Sequence, residues 1–247
     1  MAQDIIISVK NLTKSFGDHS VLNGVNLDIR KKESLVVLGG SGSGKSVLIK
    51  TMIGLLYSDS GSVRINDQEI STLNLKARRD IMNEMGFLFQ GGALFDSLKI
   101  WENVSFSLIN NFKASKKQAY DHAVKKLESV GLDAKVADLY PSELSGGMQK
   151  RASLARTIAM DPKIIFFDEP TTGLDPIMAN TINDLIKKCS KELKATTVTI
   201  THDMNSAKII GDKAAMLKDG KIIWEGDLNK IDQIDDEYVQ NFVKGHK

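Results

Sequence analysis

Only one cysteine, Cys189, occurs in 247 residues, so no internal disulfide can form and the fold must be held by burial. A reducing compartment fits that usage. Cys189 lies in the helix-like stretch 182–193 and reads as a small packing residue. No apolar run approaches the roughly 20 residues that span a bilayer, so a membrane connection would have to come through a partner. The opening Met1-Ala2-Gln3-Asp4-Ile5-Ile6-Ile7 has an early acid and no basic flank, unlike a signal peptide. A soluble, cytosolic chain is therefore expected. Charge of one sign is also missing: 33 Lys and Arg stand against 31 Asp and Glu, for a net +2. That balance gives no polyanion-binding signal, and no nucleic acid is expected as a partner. Low-complexity tracts, internal repeats and long linkers are absent too. What remains, 42% hydrophobic and 26% charged, is ordinary for a compact protein. The length suits one large domain or a core with a modest lobe.

Strand-like and helix-like runs alternate along the chain. Ser34–Leu38 is apolar and β-branched and runs into a glycine-rich loop. The stretch 45–55 follows as a helix, with Val47, Leu48, Met52 and Leu55 at helical spacing. Buried-strand candidates return at 164–167 and 197–201, with a helical stretch over 177–193 between them. This alternation predicts an α/β fold, a mostly parallel sheet with ligands at the carboxyl ends of its strands. Residues 5–29 alternate like strands (Ile5, Ile7, Val9; Val25, Leu27, Ile29) around Gly17-Asp18, which predicts a small antiparallel sheet at the front. From about Phe89 to Met160 strand signals vanish. Helices are expected over 99–109, 116–130 and 148–160, forming a lobe (90–160) inserted into a core of 1–89 and 161–247.

Gly39-Gly40-Ser41-Gly42-Ser43-Gly44-Lys45-Ser46 fits the phosphate-loop pattern G-x-x-x-x-G-K-[ST]. Its glycines let successive N–H groups turn inward onto phosphate oxygens, and the helix opening at Lys45 adds its positive end. Lys45 would reach the β- and γ-phosphates, and Ser46 would offer its hydroxyl to Mg²⁺. A flexible glycine-rich turn could share the letters, but a strand before and a helix after are the context the motif needs. Further on, Ile164-Ile165-Phe166-Phe167-Asp168-Glu169 is a buried-strand run ending in two carboxylates. Asp168 suits the outer coordination of a Mg²⁺ ion and Glu169 the polarising of an attacking water. Leu144-Ser145-Gly146-Gly147-Met148-Gln149 opens another helix, with Ser145 as its cap and two glycines exposing backbone N–H groups. Two helix starts aimed at phosphate in one domain make sense if each serves the other subunit's nucleotide in a dimer.

At this point the chain resembles the ABC ATPase family over essentially its whole length. The phosphate loop, Leu144–Gly147 and the strand ending in Asp168-Glu169 stand in the family's order. Gln90 matches the Q-loop, Asp175 in Gly173-Leu174-Asp175 the D-loop, and His202 in Ile200-Thr201-His202-Asp203 the switch histidine. Phe16 matches the aromatic that stacks on adenine. The resemblance implies a P-loop NTPase fold and ATP held by Phe16, Gly39, Gly40, Ser41, Gly42, Ser43, Gly44, Lys45, Ser46 and Val47. Ser145, Gly146, Gly147 and Asp175 would contribute to nucleotide binding, with Ser145 and Gly147 completing the opposite subunit's site. It further implies Mg²⁺ near Ser46, Gln90 and Asp168, and catalytic roles for Glu169, His202, Gln90 and Lys45. A homodimer around two ATP would hydrolyse it to ADP and drive a membrane permease from the cytoplasmic face of the inner membrane.

One segment is more particular. Gln90-Gly91-Gly92-Ala93-Leu94-Phe95 followed by Trp101-Glu102-Asn103-Val104 is similar to the ATPases of MCE-type (Mla) lipid transporters. Pro141–Met148, Gly173–Ile177 and Val239-Gln240-Asn241-Phe242 agree with that group. The similarity implies a phospholipid-like cargo and an MCE-type lipid-binding subunit; the alternatives are an importer of a small polar solute and, more distantly, a non-transport ABC ATPase acting on nucleic acid. Ala93, Leu94, Phe95 and Trp101 look exposed and apolar here or else pack the lobe's own core, a reading at least as good for Trp101; Leu94 and Phe95 are expected to line a groove for a helix of the permease.

Overall fold

The computed structural model describes residues 4–245. Along the chain run β1 (Ile5–Phe16), β2 (His19–Arg30), β3 (Ser34–Leu38), α1 (Lys45–Met52), β4 (Ser60–Ile65), β5 (Gln68–Glu69) and α2 (Leu75–Asn83). Then come β6 (Met85–Leu88), α3 (Ile100–Val104), α4 (Phe106–Phe112), α5 (Lys116–Ser129), α6 (Gly146–Thr157), β7 (Ile164–Asp168) and α7 (Pro176–Leu193). The rest is β8 (Thr196–Thr201), α8 (Met204–Ile210), β9 (Lys213–Lys218), β10 (Lys221–Asp227) and α9 (Glu237–Lys244). Two compact units result: Met1–Met82 with Ala195–Lys247, and Asn83–Lys194. Residues 90–160 lie inside the second, together with β6, β7 and α7.

In the first unit, β1 and β2 form the expected antiparallel pair, and β4 and β5 extend it to the order β2-β1-β4-β5. Alternation buries Ile7, Val9, Val25, Leu27 and Ile29 on one face. The period breaks between Val9 and Leu12, both buried, because Asn11 sits in a bulge at φ 47°. Asn26 Oδ1 accepts the Asn11 N–H at 3.0 Å, so the bulge keeps its backbone donor satisfied. A second sheet has β3 at its centre, parallel to β8 and to β9, with β10 antiparallel on β9. Leu35–Leu38 and all of β8 are buried, as strands covered on both faces must be. The strands therefore deliver the 39–44 loop and His202 from their carboxyl ends. Helix α1 is shorter than the sequence pattern: it stops at Met52 and Gly54 turns the chain at φ 73°, leaving Leu55 exposed.

In the second unit, β6 and β7 run parallel, with Phe87 stacked on Phe166. Helices α3, α5 and α6 pack together through Ile100, Val104, Ala123, Leu127 and Leu154, all buried. The single helix expected over 99–109 is two, α3 and α4. Between them Ser105 is fully buried and its hydroxyl donates to the Ala119 carbonyl at 2.6 Å, which gives that polar group a partner inside the core. Helix α6 begins earlier than expected, at Gly146, with Ser145 Oγ accepting the Met148 N–H at 3.3 Å. Cys189 is buried on α7, and burial pushes its thiol up.

Trp101 takes the core position, one of the two that the sequence allows it. It is 5% exposed, packed at 5.8 Å against Tyr120, and belongs to the core instead of the surface. Helix α3 is too short to turn both Trp101 and the preceding loop outward, and its largest apolar side chain goes inward.

Candidate functional site

The loop 39–44 owes its shape to glycine. Gly42 and Gly44 hold φ of 78° and 101°, and a side chain on Gly44 would come within 2.9 Å of the Val21 carbonyl. Past Gly44 the chain enters α1, whose first turn has no side-chain cap and no acid, leaving the positive end of the helix unopposed by a carboxylate of its own. Lys45 is only 6% exposed; its ammonium donates to the carbonyls of Gly39 and Gly40, each at 2.8 Å. Buried inside the same loop, Ser43 Oγ has no hydrogen-bond partner. A buried cation, an unpartnered hydroxyl and an uncapped helix start together fit a polyphosphate. The loop borders a cavity of about 310 Å³ with His19, Ser20, Val21, Lys218, Asp219, Gly220 and Tyr238. Phe16 ends β1 half exposed, with the Lys14 ammonium 5.4 Å above its ring. Ser46 and Val47 are in the first turn of α1, and His202 follows β8 on the surface.

The second unit assembles the carboxylates. Apolar β7 drives Asp168 to the edge of the core, 7% exposed. Glu169 comes next at φ 46°, a left-handed backbone that a β-carbon resists. Its Oε2 accepts from Thr172 Oγ1 at 2.9 Å and from Gln90 Nε2 at 3.4 Å. The structure thus joins Gln90 to Glu169, two residues named separately from sequence. Lys150, one turn into α6, donates to the Gln90 carbonyl. Burial pushes the Lys150 ammonium down and the nearby Asp168 charge opposes the shift. Asp168 offers the hard carboxylate oxygen that suits Mg²⁺.

Ser145 and Gly146 are exposed at the start of α6. Gly147 lies where any side chain would strike the Met178 methyl. Asp175 is exposed, and its carboxylate accepts the N–H groups of Ile177 and Met178 at 3.0 Å, capping α7.

Beside Gln90, the side chains of Asn103 and Arg156 hold the segment 91–99. Asn103 is fully buried; it accepts the Phe95 N–H at 2.7 Å and donates to the carbonyls of Phe95, Leu98 and Lys99 at 3.0 to 3.2 Å. Arg156 donates to the Ala93 carbonyl and lies over Phe95, 4.7 Å from the ring centre. Burial pushes its guanidinium down. With the backbone so pinned, Phe95 stays 41% exposed and Leu94 half-buried at the surface. Asn103 was visible only as a motif letter. Lys150, Arg156 and Tyr238 carried no sequence signal, since each acts through a contact distant in the chain; Thr172, three residues from Glu169, carried none either.

Comparison with known proteins places these features in context. The ABC transporter family profile matches residues 22–172. The ATP-binding protein MlaF of the intermembrane phospholipid transport system of Haemophilus influenzae is 39% identical over 240 residues, spanning 97% of this chain and 90% of MlaF. The methionine import ATP-binding protein MetN of Clostridium tetani is 38% identical over 226 residues, 92% of this chain and 70% of MetN. Among solved structures, the dimeric ATP-binding cassette MJ0796 in a post-hydrolysis state with ADP and Pi superimposes with a TM-score of 0.82. It is 33% identical and covers 90% of this chain and 99% of that cassette. The fold is therefore α/β, of the P-loop NTPase type.

Proposed function

From a chain that belongs to the ABC transporter family, an ATPase whose hydrolysis is coupled to transport, we propose a subunit that closes as a homodimer around two ATP and drives a lipid-moving permease. A nucleotide-binding core (1–89 and 161–247) carries an inserted helical lobe (90–160). Attack of water on the γ-phosphorus forms one P–O bond and breaks the bond to ADP, and the enzyme's task is positioning and charge stabilisation. Lys45, the loop amides of 39–44 and the first turn of α1, with Ser46 and Val47, hold the phosphates. Glu169 orients the water, Gln90 fixes its carboxylate, and His202 contacts the γ-phosphate. Ser46, Gln90 and Asp168 would hold a Mg²⁺ ion, which would supply charge neutralisation to the bound nucleotide. Ser145, Gly146 and Gly147 present the start of α6 to the nucleotide of the opposite subunit, flanked by Asp175, and Phe16 stacks on adenine. Opening of the dimer after hydrolysis is the work delivered to the permease. The observation that carries this reading is Glu169, held at φ 46° by Thr172 and Gln90 directly after the buried strand ending in Asp168.

The cargo reading rests on the surface at 92–95, pinned by Asn103, together with the resemblance to MlaF. That surface receives a short cytosolic helix of the permease at the inner membrane; among the described residues no helix is long and apolar enough to cross a membrane. An MCE-type subunit would hand over the phospholipid. Resemblance to MetN favours the second reading, import of a small polar solute. Purifying the complex from its membrane and identifying co-purified subunits and lipid by mass spectrometry separates the two. A phospholipid-loaded complex with an MCE-type subunit is expected. A permease with a soluble solute-binding protein and no lipid would overturn the lipid reading and leave the ATPase intact.

A further inference from the structure

We propose that Tyr238 and Lys218 form a wall of the nucleotide pocket, so that the C-terminal helix α9 contacts the phosphate portion of ATP in the same subunit. The inference rests on the reading of 39–47 as the phosphate-binding loop. Three backbone segments converge there. The β9–β10 turn passes through Asp219 at φ 48° and Gly220 at φ 72°. A side chain on Gly220 would lie 2.6 Å from the Val21 carbonyl, the atom that also excludes a side chain from Gly44. The Asn23 N–H donates to the Gly220 carbonyl at 2.8 Å, which clamps the turn onto β2 beside the phosphate loop. Lys218 is thereby fixed at the rim of the cavity.

Tyr238 is placed independently. Asp236 caps α9 by accepting the Val239 N–H at 3.0 Å, Gln240 donates to the Ile234 carbonyl at 3.0 Å, and Val239 is fully buried. This anchored helix sends Tyr238 into the cavity lining, where its hydroxyl is 3.7 Å from the place a Gly40 side chain would occupy. The Lys218 ammonium covers the Tyr238 ring at 4.2 Å. One face of the ring is thus taken, and the hydroxyl and the ammonium remain as donors toward the cavity. Oxygen acceptors flanked by phosphate are the chemistry such a pair fits, and the neighbouring Lys45 and α1 already favour anions.

Isothermal titration of the whole protein with ATP, with inorganic tripolyphosphate and with adenosine tests this, alongside amide exchange of residues 237–244 with and without ATP. Loss of one hydrogen bond predicts that Tyr238→Phe and Lys218→Gln each raise the Kd for ATP about 3- to 10-fold. Adenosine binding should be unchanged, and Lys218→Gln should weaken tripolyphosphate too. ATP should slow exchange in α9 of the unmodified protein and less so in Tyr238→Ala. If Tyr238→Ala fails to fold, the Phe and Gln variants carry the test alone. ATP affinity within twofold of the parent in both, with α9 exchange unaffected by ATP, would overturn the proposal. Equal ATP affinity in the parent and in Lys45→Ala would instead sink the reading on which it rests.

Discussion

Glu169 shows what one residue is asked to tolerate. A left-handed backbone costs a non-glycine residue about 1–3 kcal/mol, and here it is sustained at φ 46° with Thr172 and Gln90 gripping the carboxylate. The strain aims the side chain away from the line of β7. Glu169→Gln keeps the size and one acceptor oxygen but removes the charge that polarises water. We expect ATP binding to persist and steady-state turnover to fall at least about 100-fold. A phosphate-release assay checks this, and turnover near the parent's would remove Glu169 from the catalytic role. Asp28 offers a residue-scale test of pH. Burial alone would raise its carboxyl, but the Lys10 ammonium at 2.7 Å and the Ser8 hydroxyl at 2.6 Å prevail and hold it below its ordinary range. A carboxyl depressed on folding stabilises above its unfolded pKa, and that contribution drains away as pH falls through the folded value. Asp28→Asn should therefore lower the denaturation midpoint at pH 7, and its deficit relative to the parent should shrink as pH falls below the ordinary carboxylate range.

At the scale of elements, α3 is short and irregular at both ends, yet it organises the surface beside Gln90. Asn103 bonds four backbone groups of 95–99; the Phe95 and Lys99 carbonyls also accept from the Leu98 and Asn103 N–H groups, so the Phe95 N–H and the Leu98 carbonyl depend on the side chain most. Asn103→Ala should cost about 3 kcal/mol, since unsatisfied buried groups each carry a desolvation penalty. Thermal unfolding should shift down by roughly 10 °C for a chain of this size, and amide exchange at 95–99 should speed up first. Leu94, on the segment so pinned, is half-buried and faces the surface where the permease is proposed to dock. Leu94→Asp is expected to reduce co-purification of the permease while the isolated subunit melts within about 2 °C of the parent, as surface substitutions do. Equal recovery of the permease with both proteins would reject that docking surface.

For the whole molecule, the test is whether two subunits share each site. Ser145 stands exposed at the start of α6, while Lys45 is buried within its own phosphate loop. Combining a Ser145→Arg subunit with a Lys45→Ala subunit places both lesions in one composite site and leaves the other whole. Mixed dimers should recover ATP turnover well above either mutant alone; no recovery would contradict action in trans. Much of this assembly was readable in the linear chain. Glycine at 42 and 44 is demanded by backbone angles, the apolar runs 34–38 and 164–167 by burial on both faces, and the residues that follow such strands emerge at their carboxyl ends. Those are local constraints, and local letters report them. What the letters could not say is which side chain turns inward. For Trp101 the letters left core and surface open, and packing against Tyr120 took it into the core, while Arg156 and Asn103 kept Phe95 at the surface. Lys150 under Gln90 and Tyr238 beside Gly40 likewise depend on contacts that no period or spacing encodes. Turn chemistry and strand patterning act over a few residues and are written in order; the partners of a polar side chain are chosen by the packed chain, and only the tertiary structure decides them.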